Sequence, residues 1–137
     1  MKGFLLDTNV ISELVKPAPD KNVVTFLSTT DSSWISIISL HELRYGLELL
    51  PKGRRRSELD EKLRQLLSEY SDWIIPVTQS EANQAALFRV KAKNQGRVIH
   101  LADALIAGTA KGHDLSVVTL NVDDFLGIDV DVVNPWD

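Results

Sequence analysis

The chain has 137 residues, 44% hydrophobic and 25% charged, the composition of a folded domain with a sizeable core and not of a disordered segment. No apolar run is long enough to cross a bilayer and no basic leader with an apolar stretch opens the chain, so neither a membrane helix nor a signal peptide is expected, and a cytoplasmic location is. The absence of cysteine excludes disulfides, thiolate zinc sites and a cysteine nucleophile, and the net charge of −4 argues against bulk attraction to nucleic acid.

The first element is the apolar run "GFLLD", short enough for a strand covered on both faces and ended by Asp7. Thr8 or Asn9 is expected to cap the helix that Val10, Ile11, Leu14 and Val15 fill and that Lys16 and Pro17 close. A short helix over "KNVVTFLSTT" leads to a second strand, "SWISIIS". Ser39 and Glu42 then stand at capping-box spacing before a helix with Leu40, Leu43, Leu47 and Leu50 on one side. Gly53 reads as a turn with Arg54, Arg55 and Arg56 beside it, followed by an amphipathic helix carrying Leu59, Leu63, Leu66, Leu67 and Tyr70. After the strand "WIIPV" come two helices, "SEANQAALFRVKAKNQ" and "LADALIAGTAKG", broken near Gly96. The small residues Ala102, Ala104, Ala107, Gly108 and Ala110 would let the second of these pack closely on a sheet. Two more strands, "LSVVTL" and "VDVVN", complete the pattern. Strands alternating with helices predict one α/β domain over residues 1–137, with a mostly parallel sheet between two helical layers.

Three acidic residues sit where such a fold gathers ligands. Asp7 ends a strand, Glu42 follows one, and Asp103 lies in the first turn of a helix. Each has a local explanation as a turn residue, a capping-box partner or a complement to the helix dipole. Jointly they can meet at one rim of a parallel sheet, where clustered carboxylates suit a hard cation such as Mg²⁺ or Mn²⁺. A fourth contribution is offered by Asn121, Asp123 and Asp124 in "TLNVDDF", a segment that also reads as an Asn/Asp turn. Thr8, Asn9 and Ser39, with Ser36, are placed to hydrogen-bond the first two carboxylates. His41, His100 and His113 form no ligand-type spacing and read as surface or local hydrogen-bonding groups.

Basic residues are concentrated in two stretches. The first holds Lys52, Arg54, Arg55, Arg56, Lys62 and Arg64, and the second Arg89, Lys91, Lys93 and Arg97. Either could track a phosphate backbone or simply be a solvated face.

The sequence resembles PIN-domain ribonucleases of the VapC/FitB toxin type, through "LDTNVISEL", "ISLHELRYG", "ADALIAGTA", "TLNVDDF" and "NPW", which run in family order over nearly the whole chain. The resemblance implies a three-layer PIN-like fold and a metal-dependent endoribonuclease whose acidic residues correspond to Asp7, Glu42 and Asp103. It implies an RNA substrate, a small antitoxin partner of the VapB/FitA type, and a homodimer. In "TLNVDDF" family members commonly carry an arginine where this chain has Leu120, and either Asn121 or Asp124 fills the fourth position. The competing reading is a receiver-like phosphoacceptor module, which would favour adjacent acidic residues after the first strand and a lysine after a late one.

Overall fold

A computed structural model describes residues 2–137. Phe4, Leu5 and Leu6 lie in the strand β1 (Gly3–Leu6), where Leu5 and Leu6 point to opposite faces and both are fully buried. The chain continues through α1 (Thr8–Leu14), α2 (Lys21–Ser28), β2 (Ser33–Ser36), α3 (Ile37–Glu48) and α4 (Arg54–Glu69). It then forms β3 (Ile74–Ile75), α5 (Gln79–Asn94), α6 (Leu101–Gly112), β4 (Leu115–Val118) and β5 (Val132–Val133). The strand order is β3-β2-β1-β4-β5 and every pairing is parallel, so the sheet is parallel throughout where a mostly parallel one was expected. Leu6 is in register with Ile35 on one side and Val118 on the other.

The two sheet faces carry separate cores, which makes the architecture three-layered as predicted. Leu5 and Val117 pack against Ala85 and Phe88 of α5 and Ala104, Ile106 and Ala107 of α6. On the other face Leu6, Ile35 and Val118 meet Val10, Ile11, Val23, Leu43, Leu47 and Leu63 from the first four helices. Among the described residues no helix is long and apolar enough to cross a membrane.

Several boundaries differ from the sequence reading. The run "SWISIIS" is a strand only to Ser36, whose Oγ accepts from the Ile38 N–H at 3.1 Å and caps α3. Ser39, Leu43 and Leu47 are buried at a spacing of four, so the apolar period switches to helical before Ser39 and the expected capping box does not form. Asp7 itself caps α1, in place of Thr8 or Asn9, by accepting from the Thr8 N–H. Arg54, Arg55 and Arg56 occupy the first turn of α4, not the turn before it. Gly96, at φ +76°, ends α5 in the left-handed conformation that glycine adopts without strain.

The stripe of small residues on α6 serves a different neighbour from the one expected for its glycine. A Cβ on Gly108 would stand 2.6 Å from the Glu81 carbonyl oxygen and 3.1 Å from the Ala85 nitrogen, so the close approach is to α5. Neither contact atom can move without shifting a helix. Gly108→Ala is therefore expected to lower stability by about 1–3 kcal/mol in denaturant melts, although alanine is the better helix former.

Candidate active site

Parallel pairing puts the carboxyl ends of β1, β2 and β4 at one rim, and α6, which runs back across the sheet before β4, begins at the same rim. The order places β1 between β2 and β4, where connections leave toward opposite edges and a crevice opens. Asp7, Glu42, Asp103, Asn121 and Asp124 all come from segments that end or begin there.

Asp7 is the most constrained of them. It is 5% exposed, and its N–H continues the strand ladder by donating to the Val118 carbonyl at 2.9 Å. Its Oδ1 accepts from the Thr8 N–H at 2.8 Å and its Oδ2 from the Thr119 hydroxyl at 2.8 Å. Thr119 Oγ1 in turn accepts from the Asn9 side-chain amide and from the Asn121 N–H, each at 3.1 Å. Asn9 also accepts from the Leu120 N–H at 3.2 Å, so the β4 exit loop and the start of α1 are tied together around Asp7. Burial pushes the Asp7 carboxyl above its usual value, against the lowering effect of the Thr119 and Thr8 hydrogen bonds, and the charges of Glu42 and Asp124 push it further.

Glu42 is half-buried one turn into α3. Thr8 Oγ1 donates to its Oε1 at 2.9 Å and lies 3.1 Å from Ser39 Oγ, so Thr8 and Ser39 both stand beside the site as expected. Ser36 caps α3 and so starts the helix that carries Glu42. Asp103 is raised to about 6, first by burial and then by the charges of Asp7, Asp124 and Glu42, with His100 opposing. Asp124 lies in a short 3-10 turn, Val122–Phe125, and shares with Asp7 and Asp103 a cleft of about 480 Å³ lined also by Asn9, Ser12, Glu13, Lys16, Asn121 and Trp136.

The donors are carboxylate oxygens with nearby hydroxyl and amide groups, which suits a hard divalent cation. Among the described residues no three acidic or imidazole side chains are close enough together to hold a metal ion by themselves. Asp7, Asp103 and Asp124 line the cleft, and Glu42 lines the groove beside it. Such an arrangement fits Mg²⁺, which keeps several waters and takes one or two carboxylates together with substrate oxygens.

The basic candidates divide. Arg54 is paired with Glu58 at 2.8 Å and Arg56 with Glu48, while Arg55 faces a groove beside Glu42. Arg97 is a structural clamp: it donates to the Leu126 carbonyl and, at 2.8 Å, to the Asp123 carbonyl, fixing the turn that carries Asp124. Lys91 and Lys93 are exposed on α5 and do not line the cleft. The histidines take local roles as expected, His113 bonding Glu81 at 2.9 Å and His41 stacking on Tyr45. The sequence reading places none of Thr119, Ser12 and Trp136 in the site, and marks Lys16 only as closing the first helix. The signal for Thr119 was a hydroxyl residue directly after a buried apolar run, and for Trp136 its place in "NPW".

A parallel α/β domain with four carboxylates at its switch-point rim defines the class of protein. The PIN domain family matches residues 4–130, and the chain belongs to that family, which displaces the receiver-like alternative. It is similar to Toxin FitB of Neisseria gonorrhoeae, 41% identical over 136 residues covering 97% of this chain and 98% of that protein. It is 35% identical to VapC ribonuclease Y4jK of Sinorhizobium fredii over 137 residues, 98% of each. The solved structure of FitAB bound to an IR36 DNA fragment contains a chain that superposes with a TM-score of 0.89 at 38% identity, covering 98% of this chain and 96% of that one.

The raised carboxyl of Asp103 has a sign that can be tested. Its folded value of about 6 lies above the unfolded value of about 3.9, so the folded state binds more protons between them and stability falls as pH rises through that window. Asp103→Asn removes the penalty. In the metal-free protein the variant should exceed wild type by about 1 kcal/mol near pH 7, allowing for solvent screening of a half-exposed group, and the difference should vanish near pH 4 in thermal melts.

Proposed function

We propose that this protein is the toxin of a type II toxin–antitoxin pair and acts as an endoribonuclease that hydrolyses RNA phosphodiester bonds with Mg²⁺ or Mn²⁺. The observation that carries this reading is the gathering of Asp7, Asp103 and Asp124 on one cleft with Glu42 beside it, Asp7 and Asp103 having their pKa values raised by burial and by the charges of the others. Names of relatives as toxin and ribonuclease, and a similar chain solved in a complex on DNA, support it.

Asp7, Glu42 and Asp103 would hold the ion, with Asp124 as the fourth group. When bound, the ion supplies an activated water and stabilises charge on the phosphoryl oxygens. The chain's own residues orient the donors. Thr119 and the Thr8 N–H fix the two Asp7 oxygens, and the Thr8 hydroxyl holds Glu42 toward the same cleft. Asp103, raised by burial and by the charges of Asp7, Asp124 and Glu42, gains most from a cation that offsets that repulsion. Asp124 is preferred over Asn121 because its charge reaches both Asp7 and Asp103 and a carboxylate suits a hard cation better than a neutral amide.

The whole chain is read as one PIN domain, since β1 near its start and β5 near its end flank β4 in one sheet. The expected antitoxin partner follows from the relatives, and self-association from the exposed Leu87, Val90, Val98 and Leu101 along α5 and the turn into α6.

Purified protein should cleave single-stranded RNA, lose cleavage in EDTA and regain it with Mg²⁺ or Mn²⁺. Asp7→Asn, Glu42→Gln and Asp103→Asn should each lose on the order of 100-fold or more while folding normally, and Thr119→Val about 10–100-fold through misorientation of Asp7. Asp124→Ala should weaken cleavage more than Asn121→Ala. Full activity of Asp7→Asn would refute the assignment.

A further inference from the structure

A second opening adjoins the acidic cleft. It is a groove of about 280 Å³ between α1, α3 and α4, and Thr8, Ser12 and Lys16 lie on the walls of both. Its floor is aliphatic, made by Leu43, Leu47 and Leu63 with Val15, Leu50 and Leu59 at the sides. Glu42 is on its wall. Two cations mark the rim. Lys16 is the one basic side chain among the described residues lining the acidic cleft, and its ammonium is held by Glu13 at 2.9 Å, a buried carboxylate that also accepts from the Asp20 N–H at 2.9 Å. Arg55, unlike Arg54 and Arg56, has no ion-pair partner among the described residues.

The groove is also kept open by a glycine that the backbone does not need. Gly46 lies inside α3, where glycine weakens a helix relative to alanine, and a Cβ there would meet nothing within 4 Å. Since Gly46 lines the groove, its missing side chain leaves space that a larger residue would take.

Resting on the ribonuclease reading above, we infer that this groove is a substrate subsite: it receives the base of the nucleotide next to the scissile phosphate, while Lys16 and Arg55 contact the phosphates on either side of that nucleotide. The occupant must be flat and apolar on its faces, anionic at its ends, and continuous with a group in the acidic cleft. An unpaired nucleotide meets all three conditions. At about 280 Å³ the groove falls just short of the roughly 300–1,000 Å³ of small-molecule pockets, which suits one base and not two. An aliphatic floor gives any base an apolar contact and hydrogen-bonds none, so the subsite selects unpaired RNA by shape more than by sequence.

The test uses Gly46→Leu, which fills the groove without meeting packed atoms, together with Lys16→Ala, Lys16→Arg and Arg55→Ala. Gly46→Leu should fold as wild type with an unchanged or higher Tm, raise KM for a single-stranded RNA about tenfold with kcat largely kept, and shift the distribution of cut sites. Lys16→Ala and Arg55→Ala should each flatten the salt dependence of binding by roughly 0.7 in slope, and Lys16→Arg should restore it. Binding and cleavage of the same RNA separate the two readings: wild type that binds it but does not cleave it even with Mg²⁺ or Mn²⁺ overturns the ribonuclease assignment and leaves the subsite, with Gly46→Leu weakening that binding. If Gly46→Leu cleaves with wild-type KM and cut sites, the subsite is overturned; loss of binding to the antitoxin in that variant would mark the groove as a protein interface.

Discussion

A carboxylate buried at the end of a central parallel strand is the constraint on which the rest of this structure depends. Asp7 cannot be relieved by solvent, and its neighbours in the cleft are acidic, so its position is held by directed hydrogen bonds from three parts of the chain. The strand ladder fixes its backbone, the first turn of α1 takes one oxygen and the exit of β4 takes the other. Each of these bonds also defines an element boundary. The same atoms that orient the carboxylate therefore cap a helix, end a strand and start a loop.

Hydroxyl and amide groups provide the rest of the order. Thr8 links α1 to α3 through Glu42, and Asn9 links α1 to the β4 exit through Thr119 and Leu120. Arg97 reaches from the turn before α6 to two carbonyls of the loop bearing Asp124. Four acidic groups that repel one another are thus set on supports that do not themselves depend on the acids being close. The penalty remains visible in the raised carboxyls of Asp7 and Asp103, a pattern in which folding holds charge at a functional site that it would otherwise separate.

The five strands, the six helices and the placing of Asp7, Glu42 and Asp103 near one rim of the sheet could be read from the chain because each leaves a periodic or end-of-strand signal, whereas the choice between Asn121 and Asp124 could not. The start of α3 could not, because Ile37 and Ile38 extend an apolar run that looks like strand, and only the burial of Ser39 with Leu43 reveals the helical phase. Arg54 to Arg56 looked like a turn because their helix begins without a side-chain cap. Arg97 resembled a nucleic-acid contact for lack of any local partner; its partners lie 26 and 29 positions away. Thr119 was hidden for the same reason, its bond to Asp7 spanning 112 positions.

That span has a consequence for the chain as it is made. β1 is synthesised early, yet one of its two neighbouring strands, and the hydroxyl that orients Asp7, come more than a hundred residues later. A nascent chain carries Asp7, Glu42 and Asp103 while the central strand still has an open edge and Asp7 still lacks one of its donors. A cell making this protein is thus exposed to a competent site only once β4 has emerged from the ribosome and docked. The interval of translation itself is time in which a partner can meet an unfinished, harmless polypeptide.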